Sequence, residues 1–346
     1  MLGDMMKLQD YLYGTLSCDN NRKIGGSKLK VYLTGDIPGK GVEMLKEKGC
    51  QVEVFESESP ITEEILLKKA KDCHGLVTMI GDPVTEKVVE GAGELKVIAN
   101  YGVGYDNIAV KKATEKNIRV TNTPGVLHET TADLTFSLIL GVMRRTLEAD
   151  RFLRDGNFKG WKPQLFLGSD VYGKKLGIIG MGEIGSAVAK RAAGFDMEVL
   201  YNKRTPLATD EEKRLGVKYA ELDHIIENCD IITLHVPLTS ETHHLITMDE
   251  FKRMKEETFL INTSRGPVVK EDDLVRALEE GEIKGAGLDV FEEEPVVHSG
   301  LLDKESCLLL PHIGSASEEC RKRMGEIACE NVIKVLEGEQ PLTPVN

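Results

Sequence analysis

The 346-residue chain has no long hydrophobic run: its most apolar stretch, 134–143, is about half the length that a bilayer-spanning helix needs. It lacks an excess of positive charge, with 57 acidic against 44 basic residues and a net charge of −13. That disfavours a general binder of nucleic acid or of an anionic membrane, since both need a basic face. No CxxC pair occurs, and the seven cysteines (18, 50, 73, 229, 307, 320, 329) are scattered and odd in number. This argues against a disulfide framework and a cysteine zinc site. The histidines at 74, 128, 224, 235, 243, 244 and 298 form no ligand-like pattern, so no metal is expected. No charged-then-apolar leader opens the sequence, which makes the cytoplasm the expected setting.

What is present is a long alternation of short β-type runs with helical patterns. The length suits two domains, and residues 1–27 stand apart as an N-terminal extension without sustained period. Runs at 29–33, 52–55, 76–80, 97–99 and 119–121 read as strands, with helices at 40–48 and 62–71. After a Thr-Pro-Gly break at 123–125, the spacing of Leu134, Leu138, Val142 and Leu147 predicts one long helix over 130–154. A second set of strands is expected at 176–179, 198–201, 231–236, 259–262 and 285–290, with helices starting near 184, 222, 249 and 272 and a last helix over 318–336. Near-continuous Ile, Val and Leu suits strands covered on both faces of a parallel sheet.

The strand at 176–179 runs into Gly180-Met-Gly182-Glu183-Ile184-Gly185 and then a helix over 186–193. A strand, a G-x-G-x-x-G turn and a helix together form a dinucleotide site. Gly180 permits the tight turn, Gly182 lets backbone approach a pyrophosphate, and Gly185 allows close helix packing. The helix N-terminus offers N–H donors to the phosphates. At the end of the next strand, an NAD site normally carries an acid for the ribose hydroxyls. Here Asn202, Lys203 and Arg204 stand instead. Two bases suit a 2′-phosphate, so NADP(H) is favoured, with NAD(H) as the alternative.

Three later strand ends carry polar residues: Ile261-Asn-Thr-Ser-Arg265-Gly266-Pro267, Gly287-Leu-Asp289-Val-Phe-Glu292-Glu293-Glu294-Pro295 and Leu310-Pro311-His312-Ile313-Gly314-Ser315. With Asn100-Tyr-Gly-Val-Gly-Tyr-Asp-Asn107, Asn122-Thr-Pro-Gly125, Thr131-Ala-Asp-Leu134 and Gly160-Trp-Lys-Pro163, the chain from about 28 to 336 resembles the D-isomer-specific 2-hydroxyacid dehydrogenases, in their glyoxylate/hydroxypyruvate reductase branch. The resemblance implies a catalytic set of Arg265, Glu294 and His312. His312 would be the proton donor, Glu294 would hold its imidazole, and Arg265 would grip the substrate carboxylate and polarise the keto oxygen. Glu292 and Glu293 are neighbouring rivals, but the family places its Glu directly before the Pro. It further implies that the loops at Ile80-Gly81 and Val103-Gly104 bind substrate. Val103, Thr131, Val236, Thr263 and Asp289 would line the cofactor, Asp289 at the nicotinamide carboxamide, and Trp161 would cap the pocket of a partner subunit in a homodimer.

Both domains are then expected to be doubly wound α/β units of Rossmann or flavodoxin type. The cofactor domain, 125–314, would be inserted into a substrate domain of 28–124 plus 315–346, with hinges near 123–126 and 314–317. The cleft is expected to be a positive pocket within an acidic surface. The implied activity is NADPH-dependent reduction of glyoxylate or hydroxypyruvate to glycolate or D-glycerate. Another 2-keto acid, such as 2-ketogluconate, and a nucleotide-sensing corepressor-like role are the alternatives.

Overall fold

A computed structural model describes residues 29–346; the extension read at 1–27 lies outside the described residues. Two parallel sheets organise the chain. The first contains β1 (Lys30–Leu33), β2 (Gln51–Val54), β3 (Gly75–Thr78), β4 (Val97–Asn100) and β5 (Arg119–Thr121), in the order β2-β1-β3-β4-β5. The second contains β6 (Lys175–Ile179), β7 (Glu198–Asn202), β8 (Val217–Tyr219), β9 (Ile231–Leu234), β10 (Phe259–Asn262), β11 (Gly285–Leu288) and β12 (Cys307–Leu309), in the order β12-β11-β10-β9-β6-β7-β8. Strand order reverses beside β1 in one sheet and between β6 and β9 in the other. In open α/β sheets these reversals create crevices at the carboxyl ends of the strands. Strands β3, β4, β9, β10 and β11 are buried along their whole length, as helices on both faces require.

The helix Glu318–Leu336 starts on a Ser317 cap, whose hydroxyl accepts from Cys320 N–H at 3.2 Å. It packs on β3, β4 and β5, so the chain returns to the first sheet after completing the second. The helix His128–Met143 packs on β10 and β11 and on the helix Glu183–Ala192. Among the described residues no helix is long and apolar enough to cross a membrane.

The single helix expected over 130–154 is two helices, His128–Met143 and Thr146–Arg154. Arg145 breaks them with a left-handed φ of 54°. Its guanidinium pairs with Glu148, and Met143 O accepts from Ser169 N–H at 2.8 Å. Apolar spacing does not register a one-residue reversal of this kind. Three expected strands also ran too far, past Thr78, Leu234 and Leu288. Ile80 and Val236 continue the apolar run because they line a cavity beyond the strand ends. The helix after the glycine turn begins earlier than expected, at Glu183. The edge strands β8 and β12 were missed; each is only three residues long.

Candidate active site

A cavity of about 580 Å³ opens between the carboxyl ends of the two sheets. Ile80, Val103, Gly104 and Asp106 line it from the first sheet. Thr131, Gly182, Glu183, Ile184, Val236 and Thr263 line it from the second, with Arg265, Asp289 and His312. Most of the residues expected at the site therefore meet there. Gly180 and Gly185 stand behind the cavity wall. Gly81, Asn202, Lys203, Arg204, Glu294 and Trp161 are also outside the lining.

The glycine turn has the geometry its spacing predicts. Gly180 has φ +101°, and a Cβ there would lie 2.5 Å from His235 O. It thus sits directly against the chain leaving β9, at the reversal of strand order. A Cβ on Gly185 would lie 2.3 Å from Gly180 O, so the helix rests on the turn itself. Gly182 caps the helix, and a Cβ there would meet nothing within 4 Å. This open cradle beside a helix N-terminus fits a dinucleotide pyrophosphate. Asn202 closes β7, with its amide donating to Ala220 O at 3.0 Å. Lys203 is half-buried and Arg204 exposed, and no carboxylate among the described residues lies within ion-pair distance of either.

Three loops bring the reactive side chains together. His312 has φ 52°, a conformation costly for a residue other than glycine. Asp289 holds it there: Asp289 O accepts from His312 N–H at 2.8 Å, and the Asp289 carboxylate accepts from Ile313 N–H at 2.8 Å and Gly314 N–H at 2.7 Å. His312 Nδ1 lies 2.8 Å from Glu294 Oε2, while Glu294 Oε1 accepts from Phe291 N–H at 3.0 Å. Nε2 is therefore the imidazole nitrogen left for a ligand. Burial opposes charge on Glu294, but the His312 bond and charge, the Phe291 N–H and Arg265 together hold its carboxyl below the usual range.

Arg265 reaches across the cavity. Its Nε donates to Asp106 Oδ1 at 3.0 Å and its Nη1 to Ser264 O at 2.9 Å. Its Nη2 rests on Gly104 so closely that a Cβ there would be 1.7 Å away. The carbonyls of Gly104 and Val103 accept from Asn100 Nδ2 at 2.7 Å and Asn122 Nδ2 at 2.8 Å. The N–H groups of Val103 and Gly104 have no acceptor among the described residues, which leaves donors for an anion beside Arg265. The left-handed turn at Gly81 (φ +87°) is held by Asp82, whose carboxylate accepts from Thr34 Oγ1 and, at 2.6 Å, from Met79 N–H.

The expected positive pocket is corrected by this geometry. The cavity lining includes one guanidinium, Arg265, and three carboxyl-bearing residues, Asp106, Glu183 and Asp289. Asp106 is paired with Arg265, and Asp289 with backbone N–H groups, so anion recognition falls to local donors rather than net charge. Sequence reasoning missed Asp82, Asn100, Asp106 and Asn122. Asp106 and Asn100 lie inside the 100–107 run, but nothing local assigns them partners. His235 was set aside with the other histidines, yet it lines the cavity, with Nε2 2.9 Å from Thr233 Oγ1. Burial pushes its pKa down to about 3.

Burial pushes the Asp289 carboxyl from 3.8 up to about 6, against its two N–H bonds and the His312 charge. Between those values the folded chain holds a proton that the unfolded chain releases, so stability falls as pH rises through this window. A displacement of this size corresponds to roughly 3 kcal/mol. Wild-type and Asp289→Asn proteins are therefore expected to differ in a pH-dependent way: the Tm difference moves in the variant's favour from about pH 4 to about pH 6. A constant difference in thermal melts would contradict the shift.

Residues 136–314 match the model of the D-isomer specific 2-hydroxyacid dehydrogenase NAD-binding domain. The chain belongs to this family and is an oxidoreductase. It is 47% identical to the glyoxylate reductase of Korarchaeum cryptofilum, over 92% of this chain and 96% of that one. Among solved structures, it superposes with a TM-score of 0.81 on a glyoxylate reductase from Paecilomyes thermophila, at 33% identity and covering 92% of this chain and 98% of that one. The NADPH-dependent glyoxylate/hydroxypyruvate reductase of Sinorhizobium meliloti, in complex with NADP and malonate, also gives 0.81, at 34% identity over 92% of this chain and 97% of that one.

Proposed function

We propose that the protein reduces glyoxylate or hydroxypyruvate to glycolate or D-glycerate, with NADPH as the preferred cofactor. The observation that carries this reading is the meeting of the His312–Glu294 pair, Arg265 and the free N–H groups of Val103 and Gly104 at one cavity. A 2-keto acid offers a carboxylate to those N–H groups and to Arg265. Its keto oxygen then comes between Arg265 and His312 Nε2. When bound, the dinucleotide supplies the hydride. His312 delivers the proton to the developing alkoxide, Arg265 stabilises its charge, and Glu294 fixes the tautomer and orientation of the imidazole. Residues 125–314 bind the cofactor, and 28–124 with 315–346 supply the other wall. Closure hinges at 123–126 and 314–317.

The experiment that tests the activity is NADPH oxidation on adding a panel of 2-keto acids. Turnover of glyoxylate and hydroxypyruvate is the expected result. Faster turnover of 2-ketogluconate would move the substrate assignment, and tight NADPH binding without turnover of any acid would favour a nucleotide sensor. NADPH preference is supported by Lys203 and Arg204 where an NAD site carries an acid. Arg204→Ala should raise the KM for NADPH far more than that for NADH. A clear preference of the unchanged protein for NADH in kcat/KM would overturn the assignment.

The same reading includes a cytoplasmic homodimer. Trp161 is 82% exposed, and Leu153, Phe158 and Leu167 are exposed near it in sequence. A second cleft of about 620 Å³, away from the first, is lined by Leu147, Phe152, Phe166 and Leu309 among others. In a homodimer, Trp161 would be offered to the partner's cavity.

A further inference from the structure

We propose that Glu292 is a positioning residue that keeps the turn carrying Arg265 and the loop carrying Glu294 in one register. The inference rests on Arg265, Glu294 and His312 being the reacting groups. Glu292 is two residues from Glu294, but its carboxylate has different partners. Oε1 accepts from His244 Nε2 at 2.5 Å, and Oε2 accepts from Glu271 N–H at 3.0 Å. In return, Glu292 N–H donates to Glu271 Oε1 at 2.6 Å. Glu271 opens the helix Glu271–Glu280 and is buried.

His244 in turn is bound to the Arg265 turn. Its N–H donates to Pro267 O at 2.7 Å, and two residues on, Ile246 N–H donates to Val268 O at 3.1 Å. Gly266, next to Arg265, lies flat against the other loop: a Cβ there would be 1.9 Å from the Phe291 carbonyl and 2.4 Å from Glu292 N. The two loops therefore touch through backbone, and the Glu292 carboxylate joins both of them to the 244–246 segment and to a helix N-terminus. Glu292, His244 and Glu271 do not line the cavity, so the role is one of placement and not of substrate contact. A carboxylate suits it because it accepts from several donors at once. A glutamine at 292 keeps the length but has one oxygen for donors on opposite sides.

The test compares full-length Glu292→Gln, His244→Gln and the double variant with the unchanged protein. In each single variant, kcat with glyoxylate and NADPH should fall roughly ten- to a hundredfold, the effect of displacing reacting groups by about 1 Å. NADPH binding, read by nucleotide fluorescence, should be unchanged, because the glycine turn is on another loop. The double variant should be no worse than Glu292→Gln alone, since both substitutions remove one shared contact. Parent-like kcat in the folded single variants would overturn the proposal. So would a loss of activity that only tracks lost Tm and lost NADPH binding. If Glu292→Gln does not fold, His244→Gln decides by the same readouts. Full activity in Arg265→Lys and His312→Gln would instead remove the reacting groups themselves, a failure distinct from that of the brace.

Discussion

His312→Gln is expected to lower turnover by roughly two to four orders of magnitude, the usual contribution of a placed general acid, while NADPH binding persists. Everything around His312 serves its position. Its Nδ1 is committed to Glu294, and its left-handed backbone is held by Asp289 through the N–H groups of residues 312–314. Glutamine can fill much of the space and can bond Glu294, but it cannot release a proton at neutral pH. The glycine turn is on a different loop, and the hydrogen bond of the imidazole goes to Glu294. Stopped-flow measurement of NADPH oxidation together with equilibrium NADPH binding separates chemistry from binding. A variant that binds NADPH and turns over at the parent rate would remove His312 from the proton-donor role.

The second large effect is expected at Arg265. Arg265→Lys should lower kcat/KM for the keto acid roughly a hundred- to a thousandfold, comparable to losing one donor to a developing oxyanion. The guanidinium has its Nε on Asp106 and its Nη1 on Ser264 O, with Nη2 against Gly104. An ammonium is a single point and cannot reproduce that fork. Gly104→Ala attacks the same group from the other wall, because the new Cβ would stand where Nη2 now lies. The atom that must give way ends a flexible side chain, so Tm should change little while the KM for the keto acid rises. Steady-state kinetics with both variants would show it. An alanine at 104 that leaves the KM for the keto acid untouched would place the substrate elsewhere.

Much of this architecture is carried by local rules. The apolar runs identify the long central strands, because a strand covered on both faces needs apolar side chains on both. Gly180, Gly182 and Gly185 identify the dinucleotide turn: a side chain at 180 or 185 would collide with backbone, while the bare backbone at 182 leaves an open cradle at the helix N-terminus. The late strand ends point to Arg265, Glu294 and His312 through their order behind that turn, with the family resemblance selecting Glu294 over Glu292.

Contacts between residues far apart along the chain were decided by tertiary structure alone. Asp106 meets Arg265 across the cleft between two sheets, and Gly104 is a glycine because a guanidinium from the other sheet rests on it. Glu292 and Glu294 are chemically identical and two residues apart, yet the fold pairs one with His244 and the other with His312. The left-handed Arg145 that splits the expected long helix and the left-handed His312 that presents the imidazole belong to the same class. Sequence spacing records which side chains share a face of one element. It carries no record of which groups from different elements supply the hydrogen bonds that make an unfavourable backbone angle stable, and the site depends on those groups.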